Sequence, residues 1–85
     1  MADERRGEPR QGCDREVALL LGQTVIFARM TDVSRGGAAV VVGPGFRASV
    51  GDQFVLRSPG DSGLDQRPAR VVAVAAPRLH LCFAA

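Results

Sequence analysis

Residues with chemistry to offer gather in two short stretches of this chain. One is Thr31-Asp32-Val33-Ser34-Arg35-Gly36-Gly37, a polar interval between two apolar runs; the other is Arg5-Arg6-Gly7-Glu8-Pro9-Arg10. Asp32 and Ser34 carry short side chains whose oxygens accept hydrogen bonds from backbone N–H groups a few residues on, so they tighten a turn. Gly36 and Gly37 permit positive φ and add no bulk, and their N–H groups are expected to line a concavity that suits a phosphate oxygen or a carbonyl. Taken alone, Asp-x-Ser-x-x-Gly is an ordinary strand-joining turn, because turns recruit these residues anyway. Taken alone, Arg6 and Arg10 are part of a solvated tail. Their significance depends on whether the fold brings them together.

The 85 residues make one small domain, which at this size buries about 60% of its unfolded surface and needs an economical core. Valine and alanine dominate the apolar set, glycine and proline interrupt it at short intervals, and no 3.6-residue stripe is present. That pattern predicts an all-β fold, a small six-stranded antiparallel barrel. The strands are expected at Glu16–Leu21, Thr24–Met30, Ala38–Val42, Gln53–Arg57, Ala69–Ala75 and Leu79–Phe83. Gly22-Gln23 supplies a tight hairpin turn between the first two. Pro59-Gly60-Asp61-Ser62-Gly63 reads as an exposed loop. In the sixth strand His80 and Cys82 fall on one face and Leu79, Leu81 and Phe83 on the other. Residues 1–14 hold almost nothing to bury and are expected to be a flexible tail, with 15–85 as the barrel.

A hairpin places the residue that enters its first strand beside the residue that leaves its second. Here those positions are near Arg15 and Thr31. The Arg6–Arg10 segment and the Asp32–Gly37 turn are therefore expected at the same open end of one hairpin. Together they offer two guanidinium forks, a carboxylate, a hydroxyl and glycine N–H groups. A ligand that carries both phosphate and guanine would use all of them, since arginine pairs with phosphate oxygens or the guanine O6/N7 edge and a carboxylate accepts from guanine N1 and N2.

Arg6-Gly7-Glu8-Pro9-Arg10 followed by Asp32-Val33-Ser34-Arg35-Gly36-Gly37 resembles the RxxxR and D/NxSxxG pair of the PilZ domain, a bacterial receptor module for cyclic di-GMP. The resemblance runs from about Arg5 to Phe83. It implies that Arg6 and Arg10 clasp guanine and phosphate while Asp32, Ser34 and Gly37 line the opposite wall, with Arg5 and Gly36 as accessory contacts. It further implies second-messenger signalling, in which the tail folds over the ligand and changes a surface read by a downstream protein partner. No cofactor beyond the ligand is implied.

Other classes find less support in the residues. The net charge of +2 is too slight for bulk phosphate neutralisation, although all eleven basic residues are arginine. A nucleic-acid polymer is therefore not an expected partner, and a barrel for single strands would need stacking aromatics, whereas Phe27, Phe46, Phe54 and Phe83 sit in or beside apolar runs and are expected in the core. The carboxylates are scattered and His80 has no companion nucleophile or second histidine, so catalysis is not expected. Cys13 and Cys82 are too few for a disulfide framework or a metal site. With no secretory signal at the start and no apolar run near the roughly twenty residues of a spanning helix, a cytoplasmic location away from membranes is expected. A PilZ-like contact module that binds no nucleotide is the remaining alternative.

Overall fold

The computed structural model describes residues 11–60 and 63–84, and six strands account for most of them. These are β1 (Gln11–Leu21), β2 (Thr24–Val33), β3 (Gly37–Val42), β4 (Gln53–Gly60), β5 (Gly63–Ala75) and β6 (Arg78–Phe83). Each is antiparallel to its neighbours in the order β1-β2-β3-β6-β5-β4, and the β1–β4 pairing closes the barrel. The sheet thus has no free edge along its closed stretch. The all-β barrel expected from the sequence is the observed architecture, with all six strands in their expected order.

Strand alternation explains the core. Val17 and Leu19 from β1, Met30 from β2, Ala38, Val40 and Val42 from β3, Phe54 and Leu56 from β4, Ala69 and Val71 from β5, and Leu79 and Leu81 from β6 form one buried cluster. Every strand contributes at a spacing of two wherever it contributes more than once. Phe46 meets Phe54 edge to face, with ring centroids 5.9 Å apart, and packs half-buried against the core. The expectation that all four phenylalanines are buried fails for Phe27, which is 78% exposed. Ile26 and Ala28 pack against the core instead. In the run Val25-Ile26-Phe27-Ala28 every residue is apolar, so no period of two marks which face is inside.

Several boundaries move outward from their expected positions. β1 begins at Gln11 rather than Glu16, so four of the fourteen residues assigned to a tail belong to the barrel. β4 and β5 run into the expected Pro59–Gly63 loop, where Gly60 pairs with Gly63. Proline is tolerated there because β1 pairs with β4 only at Val55, Leu56 and Arg57. At Pro59 the strand has no neighbour on its β1 side, so the missing N–H breaks no ladder bond there. The β1–β2 turn has positive φ at Gly22 (59°) and none at Gln23, as a hairpin with glycine at its first central position requires.

The seam between β3 and β6 joins residues 37 to 45 apart in sequence, and the strands approach closely at Gly37. A Cβ there would lie 2.1 Å from the Leu81 carbonyl oxygen. Backbone occupies the space, so relief requires the two strands to part. Gly37→Ala is expected to cost about 3 kcal/mol or more, large for one methyl group. Gly45, with nothing within 4 Å of its Cβ position, is the control, and Gly45→Ala is expected to stay within about 0.5 kcal/mol of the parent. Urea unfolding reads both; an unmoved midpoint for Gly37→Ala would refute the close approach.

Candidate functional site

The strand that carries Asp32 reaches further than expected. β2 continues through Thr31, Asp32 and Val33, which leaves only Ser34, Arg35 and Gly36 to connect it to β3. Met30 is in the core and Val33 packs against it, yet two polar residues lie between them, one more than a regular strand accommodates. A bulge resolves the mismatch. Met30 pairs with Val40 and Asp32 with Ala39, so two steps along β2 oppose one along β3. Thr31 is the extra residue, and its hydroxyl donates to the Ala39 carbonyl at 3.4 Å. Asp32 consequently faces outward, half-buried, on the outer surface of the barrel. Bulges re-aim a side chain in this way next to binding sites.

The three-residue connection is held mainly from the β6 side. Ser34 N–H donates to the Gly37 carbonyl at 2.8 Å and closes the turn, while Phe83 N–H donates to the Gly36 carbonyl at 2.8 Å. The Ser34 hydroxyl lies 3.5 Å from the same Gly37 carbonyl, the outer limit of a hydrogen bond, and is only weakly engaged. The expected use of glycine is corrected here. Among the described residues only Gly22 and Gly51 have positive φ, so Gly36 and Gly37 do not form a concavity by left-handed backbone. Gly37 is glycine because β6 comes too close for any side chain, a constraint set by a residue far away in sequence.

On the other side of Asp32 lies β1. Gly12 pairs with Asp32 and Gln11 with Val33, and further along Arg15 pairs with Met30. The hairpin therefore does bring its first residues alongside the Asp32–Ser34 motif. Its ladder is irregular between Gly12 and Arg15, where two residues of β1 stand against the single Thr31 of β2. Cys13 reaches inward from that irregularity to donate to the Met30 carbonyl at 3.5 Å, and Asp14 reaches outward to pair with Arg29. That hydrogen bond and the Asp14 charge raise the Arg29 guanidinium above its ordinary pKa. Arg5, Arg6 and Arg10 lie outside the described residues, as do the other residues of the expected tail before Gln11.

One residue at the site is absent from the sequence reading. Arg67 of β5 lays its guanidinium over the Phe83 ring, 4.0 Å from the centroid, and donates from Nη2 to the Arg35 carbonyl at 3.4 Å. Neither contact has a local signal, since Arg67 and Arg35 are 32 residues apart. His80 and Cys82 occupy the outer face of β6, as the alternation predicts, with Leu79 and Leu81 buried. Among the described residues no group of three or more His, Cys, Asp or Glu is placed to hold a metal ion. Among the same residues no helix is long and apolar enough to cross a membrane.

An outward aspartate at a bulge stands beside Gly12 of β1, and a weakly engaged serine hydroxyl and the tight approach at Gly37 follow it in the connection to β3. Solved structures share this framework. The PilZ domain of CeSA from a cellulose-synthesizing bacterium superposes with a TM-score of 0.77 at 22% identity, covering 91% of this chain and 81% of that one. The PilZ domain of YcgR from Escherichia coli, solved with c-di-GMP, gives 0.78 at 19% identity over 93% of this chain and 77% of that one. The Bacillus subtilis inhibitor of motility MotI/DgrA gives 0.77 at 21% identity, with 95% of this chain matching 43% of that longer one. A search of curated protein sequences returns no match. The PilZ domain family matches residues 4–85, which include both the arginine pair and the Asp-x-Ser-x-x-Gly motif, and the chain belongs to that family.

Proposed function

We infer that this PilZ domain is a receptor for cyclic di-GMP and acts by binding rather than by catalysis. Arg6 and Arg10 grip the phosphate and the guanine O6/N7 edge, Asp32 accepts from guanine N1 and N2, and Ser34 and Gly37 border the ligand on the Asp32 side. Arg5 and Gly36 add accessory contacts. The observation that carries the reading is the β1–β2 register. Gln11 stands opposite Val33 and Gly12 opposite Asp32, and Arg10 is covalently joined to Gln11. The Arg6–Arg10 segment is thus joined directly to the strand end that lies beside Asp32, which supports the reading. Support from outside the chain comes from the YcgR PilZ domain, which shares the fold and was solved with c-di-GMP.

The binding event is a closure. The arginine-bearing segment folds over the dinucleotide, several charge-assisted hydrogen bonds offset the ordering cost together, and the closed segment presents a new surface to a downstream protein. The exposed Phe27 does not favour a single-strand nucleic-acid surface, because such surfaces stack successive bases on several rings. Phe54, by contrast, is buried, and Phe46 and Phe83 pack against the core.

Calorimetry with cyclic di-GMP is expected to read a dissociation constant in the micromolar range or tighter, to order of magnitude. Arg6→Ala, Arg10→Ala and Asp32→Ala are each expected to weaken it about ten- to a hundredfold, the range for hydrogen bonds that involve a charged group. Unchanged affinity in all three variants refutes the site. No binding by the unaltered chain refutes the receptor reading and leaves the protein-contact alternative. Amide exchange across residues 3–14 is expected to slow on binding, and an unaltered rate there would refute the closure alone.

A further inference from the structure

Arg67 stands at a special place in the ladder. It pairs with Leu56 on its β4 side, while on the β6 side pairing stops at Ala69 with Phe83. Leu56 and Ala69 are both in the core, so Arg67 shares their inward face but sits two residues beyond the last β5–β6 pair. A side chain there leaves the barrel through its open rim. The long stem and planar head of arginine suit that path, since the stem covers apolar surface and the charged head returns to water. Here the head does not simply return to water. It crosses the rim, lies on the Phe83 ring and reaches the Arg35 carbonyl in the β2–β3 connection.

That carbonyl has no need of the contact to satisfy its hydrogen bonding. Arg35 is exposed, and water would serve an exposed acceptor as well. What the contact adds is position. Gly36 is already tied through its carbonyl to Phe83 N–H, and the same Phe83 carries the guanidinium on its ring. Ala84 N–H in turn donates to the Pro68 carbonyl at 2.9 Å, fixing the end of β6 against the residue next to Arg67. Two consecutive carbonyls of the connection are thus fastened to one small unit made of Arg67, Pro68, Phe83 and Ala84. Lysine could not substitute fully, because it lacks the planar face that rests on a ring while a second edge donates.

We propose that Arg67 is a positioning residue for the Asp32–Gly37 loop: stacked on Phe83 and bonded to the Arg35 carbonyl, it fixes the peptide between Arg35 and Gly36 and with it the placement of Ser34. It deepens the receptor reading, since the loop it steadies is the wall that faces the ligand. Arg67 itself makes no ligand contact in this scheme.

The test uses the full chain and has one arm that requires no ligand. Arg67→Met keeps the stem but removes the donor and the cation. In the free protein, amide exchange at Ser34 and Phe83 is expected to accelerate about tenfold, the order set by losing one hydrogen bond and one exposed cation–π contact. The melting temperature is expected to fall by roughly 5–10 °C, the shift that a tenfold loss corresponds to in a domain of this size, with unfolding still cooperative. Cyclic di-GMP affinity is expected to weaken about tenfold, and Arg67→Lys is expected to recover part of both losses. Unchanged exchange in Arg67→Met overturns the clamp whatever the chain binds. Faster exchange with unchanged affinity, where Asp32→Ala weakens binding as expected, overturns its role in positioning the site. If the unaltered chain binds no cyclic di-GMP, the receptor reading fails, and the exchange arm still decides whether Arg67 holds the loop.

Discussion

The carbonyl oxygen of Leu81 stands where any side chain at position 37 would begin. That one contact sets how closely β3 can lie against β6, and β3–β6 is a seam on which closure of the barrel depends. Hairpin turns fix β1 to β2 and β5 to β6 locally. The seam has no turn of its own, and its loop-closure entropy must be recovered by tight pairing over Gly37 to Val41. From the same approach follows the placement of the connection just before Gly37, whose carbonyls at residues 35 and 36 fall within reach of Arg67 and of Phe83 N–H. The candidate binding wall is, in this sense, the end of the seam.

Closure also explains how so modest a core suffices. Among the described residues fourteen apolar ones are buried, four of them alanines, so the interior is narrow and its volume small. β2, β4, β5 and β6 are buried mainly on one face, which lets polar residues occupy the other without desolvation cost, whereas β3 is buried on both. Asp32 exploits this freedom. Its strand is anchored by Met30 on one side and Val33 on the other, and the bulge at Thr31 lets both anchors point inward while the carboxylate stays in water's reach. A carboxylate directed inward would have met an apolar interior with no partner, at a cost of several kcal/mol.

Much of this was legible in the residues and some could not have been. The six strands and the Gly22 hairpin follow from composition and punctuation, and β6 follows from clean alternation of Leu79, Leu81 and Phe83 against His80 and Cys82. The first turn of reasoning about the site, that a hairpin brings its two ends together, also needs only sequence. What escaped has a common physical cause. The beginning of β1 is polar and irregular, so Gln11 to Asp14 show no period of two, and Thr31 breaks the period of β2 for the same reason. Phe27 lies in an apolar run without alternation, so its face was undetermined. The reason for Gly37 lies in Leu81 and the role of Arg67 lies in Phe83 and Arg35. Such partners are set by which strands become neighbours, and a single chain read in order does not display that.

The residues of the Asp-x-Ser-x-x-Gly motif consequently carry different kinds of information. Gly37 serves the seam, so a substitution there disturbs the barrel and any ligand site at once, and loss of binding in such a variant says nothing about contact with a ligand. Asp32 and Ser34 are separable from the fold: one faces outward at a bulge, and the other has a hydroxyl that is barely engaged. A fold that needed only a turn between β2 and β3 would accept many residues at both positions, because neither side chain contributes to the core. Under the proposed reading, these are the two side chains of the connection that the core leaves available for recognition. The physical case for a ligand rests on the carboxylate and the hydroxyl, with the glycine as the constraint that holds them in place.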